Sequence, residues 1–199
     1  MAPALEGLLP DRGLRRGSTV AVSGSTSLAL ALLAAPSAAG SWCAAVGLPS
    51  LGLVAAAELG VALERFPLVA RPGGEWPAVV AALLEAVDVV LLCPPPHVRT
   101  ADARRLVARA RERGAVLVVT GSTGLPADVR LTVASAEWEG IGRGHGRLRA
   151  RRMAVVASGR GAAARERRVS LWLPGPAGTV GLVSEPRDGA AQIPNRAVG

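Results

Sequence analysis

The part of the sequence with the clearest chemical potential is a short turn between an apolar strand and an apolar helix. Residues 18–22 predict a buried strand, and residues 27–35 predict a helix that follows it closely. A loop that holds a nucleotide phosphate at such a junction has the pattern G-x-x-x-x-G-K-[ST]. Counted from Gly24, the fifth and sixth residues are Ala29 and Leu30, and all 23 basic residues of the chain are arginine. The junction therefore lacks the lysine and the second glycine that a phosphate loop requires.

Gly24, Ser25 and Thr26 are the vestigial phosphate-loop positions at this junction. Their backbone N–H groups, at the N-terminus of the helix, could still attract an anion. The alternative is an ordinary turn in which a serine or threonine side chain caps the helix. We favour the capped turn, because a helix end alone binds anions weakly and without selectivity.

A second candidate site is the basic stretch 142–152, where Arg147, Arg149 and Arg151 alternate with other residues. On a strand, this alternation places the three arginines on one face, roughly 6.5–7 Å apart. Such a row suits the phosphates of a nucleic acid. It equally suits a charged edge strand that resists aggregation, and the sequence leaves both interpretations open. Only 3% of the residues are aromatic, which weakens the case for base stacking.

The cysteines and histidines give no basis for a metal centre. Cys43 and Cys93 both lie in apolar runs, where cysteine behaves as a small buried hydrophobic residue. His97 and His145 are far apart in the sequence. We therefore expect no catalytic residue of this kind, no metal, no cofactor and no disulfide framework, which fits a cytoplasmic protein.

The formal net charge of +8 has two interpretations. It suits a nucleic-acid-binding protein, but arginine without lysine, beside much Ala, Gly and Pro, also suits a GC-rich genome. Arg15 and Arg16 precede an uncharged stretch that resembles an export signal. Because Ser, Gly and Pro interrupt that stretch every few residues, we expect neither export nor insertion into a membrane.

The order of apolar segments predicts an α/β domain. Strands are predicted at 20–22, 41–46, 66–69, 88–92 and 115–119, with helices at 27–35, 51–63, 76–87 and 100–113. This alternation indicates a mostly parallel sheet with helices on both faces. Strands at 129–133, 147–157 and 169–173 follow without helices, so they predict an antiparallel extension at one edge. We expect one domain over 1–174 and a flexible Gly-, Pro- and Arg-rich tail over 175–199.

This order of elements resembles the core of the RecA recombinases over residues 8–173. The phrases that carry the resemblance are Arg16-Gly17, Leu59-Gly60-Val61, Val87-Asp88-Val89-Val90 and Ala127-Asp128-Val129-Arg130-Leu131. The wording at 24–33, 40–44, 138–140 and 144–151 is similar to the short RecA-like proteins of actinobacteria called ImuA-prime. The resemblance implies a RecA-like sheet. It also implies that the protein belongs to a DNA-damage-induced, error-prone translesion cassette of the SOS response.

The chain departs from an active RecA-type ATPase at three places. Ser25 stands where a lysine would contact the β- and γ-phosphates. Cys93 and Pro94 follow the strand that should end in an acidic residue supporting magnesium. Residues 47–50 stand where RecA places a water-activating glutamate. Because phosphoryl transfer depends on positioning and charge neutralisation, we expect no ATPase activity, and so no enzyme.

The resemblance implies an accessory factor that acts by docking to other proteins. Its implied partners are an inactive Y-family polymerase homologue (ImuB-like), RecA, an error-prone C-family polymerase and the sliding clamp, with DNA as a further candidate and no membrane. Edge strands and the tail are the expected contact elements. Trp138 is expected to anchor packing, although an exposed tryptophan would suit a protein interface. Two alternatives remain open, a residual RecA- or KaiC-like ATPase that binds nucleotide and a basic DNA-binding module.

Overall fold

The computed structural model describes residues 2–121, 124–142, 145–176 and 178–183. The strands are β1 (Thr19–Ser23), β2 (Cys43–Val46), β3 (Leu68–Val69), β4 (Val89–Leu92), β5 (Val116–Thr120), β6 (Val129–Gly142), β7 (His145–Gly159), β8 (Arg167–Trp172) and β9 (Gly181–Leu182). The helices are α1 (Pro3–Glu6), α2 (Thr26–Ala38), α3 (Leu53–Glu58), α4 (Trp76–Ala86) and α5 (Thr100–Arg113), with 3₁₀ turns at Leu63–Arg65, Gly73–Glu75 and Gly161–Ala163. No helix in the described ranges has both the length and the hydropathy to cross a membrane.

The nine strands of the described residues form one sheet in the order β3-β2-β4-β5-β1-β6-β7-β8-β9. Every pair from β3 to β6 is parallel, and the pairs β6–β7, β7–β8 and β8–β9 are antiparallel. The predicted fold class, a mostly parallel sheet with helices and an antiparallel edge extension, is therefore confirmed.

Two apolar layers cover the parallel strands, one on each face. Along β4, Val89 and Leu91 belong to the layer that contains α1 and α2, whereas Val90 and Leu92 belong to the layer that contains α4 and α5. All four side chains are buried. A strand covered on both faces needs apolar side chains at every position, which explains the uninterrupted runs in the sequence.

Helix α3 is shorter than the sequence predicts, because it ends at a glycine. Gly60 has φ of +98°, and its N–H donates to the carbonyl of Ala57 while Val61 donates to Ala56. These two hydrogen bonds form the C-terminal motif in which a left-handed residue closes a helix. The predicted helix over 51–63 is wrong beyond Glu58, and the 3₁₀ turn at Leu63–Arg65 follows instead.

Strands β6 and β7 are longer than predicted and form a ribbon that projects beyond the helices. Side chains from Ala134 to Gly140 are exposed, so this part of β6 shows no alternation of buried and exposed positions. Register shifts between Val133 and Ser135 and between Glu139 and Ile141 interrupt the pairing. Because the strand signal in a sequence comes from alternating burial, it fades where the ribbon leaves the core.

The sheet continues past residue 175, where the sequence predicts the start of a tail. The N–H of Gly175 donates to the carbonyl of Thr179 at 2.7 Å, and β9 then pairs with Leu171 and Trp172 of β8. The rest of the predicted tail, residues 184–199, lies outside the described residues.

We predict that Gly47→Ala destabilises the protein far more than Gly121→Ala. Both glycines follow a parallel strand with similar positive φ, +76° and +84°. A methyl group on Gly47 would overlap the carbonyl of Cys93, whereas no atom of the described residues beyond its chain neighbours lies within 4 Å of the equivalent position on Gly121. Left-handed backbone alone should cost Gly121→Ala about 1 kcal/mol, and the added clash should bring Gly47→Ala to at least about 3 kcal/mol. Urea unfolding measures both losses, and equal values would show that β2 and β4 do not meet as described.

Candidate functional site at the carboxyl edge of the parallel strands

The strands β1, β2, β4 and β5 end at one edge of the sheet, where α/β proteins usually bind ligands. The residues that follow these strands are Gly24, Gly47, Cys93 and Gly121. Neither the last residue of any of these four strands nor the residue after it is a carboxylate. The edge therefore offers no acidic side chain at the ends of these strands for magnesium or for activating water.

The junction of β1 and α2 contains only Gly24 and Ser25. Ser25 is the N-cap of α2, and its Oγ accepts a hydrogen bond from the N–H of Leu28 at 3.1 Å. This bond uses one of the helix N–H groups that a phosphate would need. A loop of two residues is too short to surround a phosphate, and the vestigial positions Gly24, Ser25 and Thr26 form a tight capped turn.

Strand β6 lies directly against this turn. Gly24 has φ of +88°, and a Cβ added there would lie 3.1 Å from the Cβ of Val133. Val133 also packs against the core layer of α1 and α2. The space beside Gly24 is therefore filled by protein, and the turn is closed from the side of β6.

Carboxylates are found at the opposite, amino edge of the sheet, where they hold strand ends together. Asp88 Oδ2 accepts a hydrogen bond from the N–H of Trp42 at 3.1 Å, just before β2. Asp128 Oδ2 accepts one from the N–H of Thr19 at 2.9 Å, the first residue of β1. The Nη1 atom of Arg16 lies 3.5 Å from Oδ1 of Asp88. These acids fix the register of the parallel strands, which places Asp88 at a strand entrance, away from the carboxyl edge.

An apolar surface lies next to the capped turn. We call it the α3 surface and define it by Leu53, Val54, Ala55 and Ala57, all exposed on α3. Val54 is 73% exposed and Leu53 41%. A cavity of about 170 Å³ adjoins it, lined by residues that include Thr26, Leu30, Leu48, Ser50 and Ala55. The sequence alone does not reveal this surface, because its residues resemble the buried face of a longer helix.

The three arginines predicted for nucleic-acid binding lie on β7 but are not equivalent. Arg147 and Arg149 are exposed on the ribbon. Arg151 is only half-exposed, and its guanidinium lies 5.7 Å from the ring centroid of Trp138, as in a cation–π contact. The row therefore offers two exposed guanidinium groups and one that contacts an aromatic ring. Residues 143–144 of the same basic stretch lie outside the described residues.

Trp138 is 47% exposed, so the expectation that it anchors packing is wrong. It lies on the projecting part of the β6–β7 ribbon, which the helices do not reach. Its contact with Arg151 is made on the surface. The interface interpretation of this residue stays a prediction.

The two cysteines have different environments and belong to no cluster of potential metal ligands among the described residues. Cys43 is buried in β2, and Cys93 is half-buried after β4. Burial, together with the nearby negative charge of Asp88, raises the pKa of the Cys43 thiol to about 12. Cys43 is therefore a neutral thiol across the physiological range.

Comparisons with known proteins identify relatives of this chain. The family described as MT3502 N-terminal domain matches residues 7–126, more than half of the chain. The "Uncharacterized protein Rv3395c" of Mycobacterium tuberculosis (strain ATCC 25618 / H37Rv) is 41% identical over 105 residues, which are 52% of each chain. The chain thus spans about half the length of that relative. The crystal structure of the RadB recombinase matches with a TM-score of 0.63 and 15% identity, over 92% of this chain and 98% of that chain. This likeness shows a RecA-like fold.

We predict that alkylation of the native protein at pH 8 modifies Cys93 and spares Cys43. A thiol with a pKa of about 12 has almost no thiolate at that pH, and burial in β2 also blocks access. Peptide mapping by mass spectrometry locates the label, with Cys93→Ser as the control that should abolish native labelling. Both cysteines should react in denaturant. Labelling of Cys43 in the folded protein would show that β2 opens readily.

Proposed function

The chain belongs to the MT3502 N-terminal domain family, and from that premise we propose that it is a non-catalytic RecA-like accessory factor. Its process is damage-induced, error-prone translesion synthesis, and it acts by docking to other proteins. The proposal combines the RecA-like fold with the resemblance of residues 24–33, 40–44, 138–140 and 144–151 to ImuA-prime proteins. Its partners are an inactive Y-family polymerase homologue and, through it, a C-family polymerase.

The observation that carries the proposal is the two-residue connection between β1 and α2. A phosphate loop needs several backbone N–H groups in a ring and a lysine that reaches the β- and γ-phosphates. Here Ser25 caps the helix and Val133 fills the adjacent space. Phosphoryl transfer also needs positioned magnesium, and the four strand ends carry no carboxylate to hold it. These features support the proposal that the chain has a RecA-like fold without ATPase activity.

Docking is supported by the apolar groups that the fold leaves exposed. The α3 surface lies at the carboxyl edge, beside the position that an active ATPase gives to its nucleotide. Trp138 is exposed elsewhere, on the β6–β7 ribbon. Exposed apolar side chains that lie next to one another mark interaction sites more often than isolated ones do. We therefore assign the α3 surface the main role in binding the Y-family homologue.

Millimolar Mg-ATP should leave the thermal unfolding of the full chain unchanged, because the turn at Gly24 offers no phosphate cradle. If a site existed, ATP at a concentration of a hundred times its dissociation constant would add about 2.7 kcal/mol to the free energy of unfolding.

Ser25→Ala serves as the matched variant, since it removes only the cap. It should lower stability by about 1 kcal/mol to the same extent with and without nucleotide. A stabilising shift with Mg-ATP in the wild type, reduced in Ser25→Ala, would favour a residual nucleotide-binding ATPase over a docking factor.

Val54→Glu should weaken binding of the purified Y-family homologue by at least about tenfold, because it places a charge on the most exposed large apolar side chain of the α3 surface. Ala108→Glu, on the exposed side of α5, adds the same charge elsewhere and should leave binding unchanged. Calorimetry measures both affinities. Since both side chains are exposed, neither variant should change the unfolding temperature.

Two outcomes would contradict the docking proposal. If the wild-type proteins do not bind each other, the Y-family homologue is not the partner. If both variants lose affinity equally, the α3 surface is not the binding site. The pathway itself has a genetic test: deletion of the gene should lower damage-induced mutation frequency without lowering spontaneous mutation to the same degree.

A further inference from the structure

The antiparallel extension has one face that no described helix covers. On one side of β6, β7 and β8, Leu131, Met153, Val155 and Leu171 are buried in the layer of α1 and α2. The other side, which we call the helix-free face, is defined by the alternate residues. These are Arg130, Thr132, Ser135, Glu137, Arg152, Ala154, Val156, Ser158, Arg168, Ser170 and Trp172, all exposed or half-buried. Helices α4 and α5 pack on β2, β4 and β5 instead.

The strand register fixes the layout of this face. Thr132, Val156 and Arg168 form one cross-strand row, and Ser135, Ala154 and Ser170 form the next. Since same-face residues lie roughly 6.5–7 Å apart along a strand, the face extends over roughly 20 Å from Ser158 to Arg152. It is three strands or about 10 Å wide. Small side chains occupy its centre, so the surface is flat, long and narrow.

Three exposed arginines distributed over this face lack acidic partners among the described residues. Arg130, Arg152 and Arg168 form no ion pair with a described residue, although Glu137 lies across from Arg152 in the register. By contrast, Arg105 and Arg109 of α5 pair with Asp102 and Glu85. Guanidinium groups without carboxylates keep their full capacity for phosphate.

Two cavities on the helix-free face combine arginine with hydroxyl groups. One, of about 460 Å³, is lined by residues that include Arg130, Ser158 and Arg160. The other, of about 230 Å³, is lined by Ser135, Glu137, Arg152, Met153, Ala154 and Ser170. Arg160 thus adds a fourth positive charge at one end, and serine hydroxyls can donate to phosphate oxygens beside the guanidinium groups.

We propose that the helix-free face binds the sugar–phosphate backbone of a single nucleic-acid strand lying along β7. The exposed arginines supply the charge, the small central residues allow close approach, and the half-buried indole of Trp172 offers a surface for one base. The narrow width fits one strand rather than a duplex. This site is separate from Arg147 and Arg149 on the ribbon, and the inference does not rest on the proposed docking function.

The test measures binding of the full chain to a fluorescein-labelled oligothymidylate by anisotropy over a range of salt concentrations. Four phosphate contacts on a single strand predict a slope of log K against log salt of about −3. The triple variant Arg130→Gln, Arg152→Gln, Arg168→Gln should bind at least about tenfold more weakly and bring the slope to about −1. Thermal unfolding should be nearly unchanged, since all three side chains are exposed.

Two matched variants distinguish binding by this face from binding by the net positive charge of the protein. Arg71→Gln, Arg99→Gln, Arg104→Gln removes the same charge from exposed positions elsewhere, and should keep the wild-type affinity and slope. Arg147→Gln, Arg149→Gln tests the ribbon and should have a smaller effect than the triple variant of the face. Equal losses in the triple variants, a larger loss from the ribbon variant, or tighter binding of a labelled duplex would overturn the proposal. So would displacement of the oligonucleotide by polyglutamate of equal charge, or no binding at low salt.

Discussion

The arrangement of the carboxyl edge depends on one constraint, the two-residue connection between β1 and α2. β1 lies between β5 and β6, near the middle of the sheet, and α2 must begin almost where β1 ends. The left-handed conformation of Gly24 turns the chain, and the cap from Ser25 to Leu28 starts the helix without a longer loop. The helix then packs Leu28, Leu32 and Leu33 fully into the core. A longer phosphate loop would move the start of α2 away from β6, so the core packing and the short capped turn support each other.

The charged residues are distributed in keeping with this constraint. Where a parallel sheet usually keeps its reactive groups, the strand ends here carry glycine, cysteine, serine, threonine and apolar residues, and no carboxylate. Asp88 and Asp128 instead accept backbone hydrogen bonds at the other edge, where they join β2 to β4 and β1 to β6. A carboxylate used in this way is anchored, and it is on the wrong side of the sheet to support magnesium near Gly24. The acids therefore contribute to register, while most of the described arginines are exposed to solvent.

The sequence predicted best those elements whose burial is regular. α5 was predicted with its observed bounds, Thr100–Arg113, because its amphipathic pattern ends at Gly114, which has φ of +66°. The parallel strands were predicted because both faces are covered. Prediction failed where local geometry overrides the pattern: Gly60 ends α3 early, and the outer part of β6, from Ala134 to Gly140, has no buried face. The capped turn at Ser25 followed from residue types, but the approach of Val133 depends on the pairing of β6 with β1, more than 100 residues later, and could not be predicted locally.

Under the proposed function, a RecA-like sheet that does not hydrolyse ATP would still offer separate surfaces to two partners, because the α3 surface and the helix-free face lie on different elements. The α3 surface is apolar and lies at the carboxyl edge, whereas the helix-free face is basic and belongs to the antiparallel extension. Apolar burial gives stable protein contacts with little salt dependence, and arginine–phosphate contacts weaken as salt rises. A factor built in this way would hold a protein through one surface and a strand through the other. The coupling between them would come from effective concentration rather than from hydrolysis, so the loss of the phosphate cradle would leave that role intact.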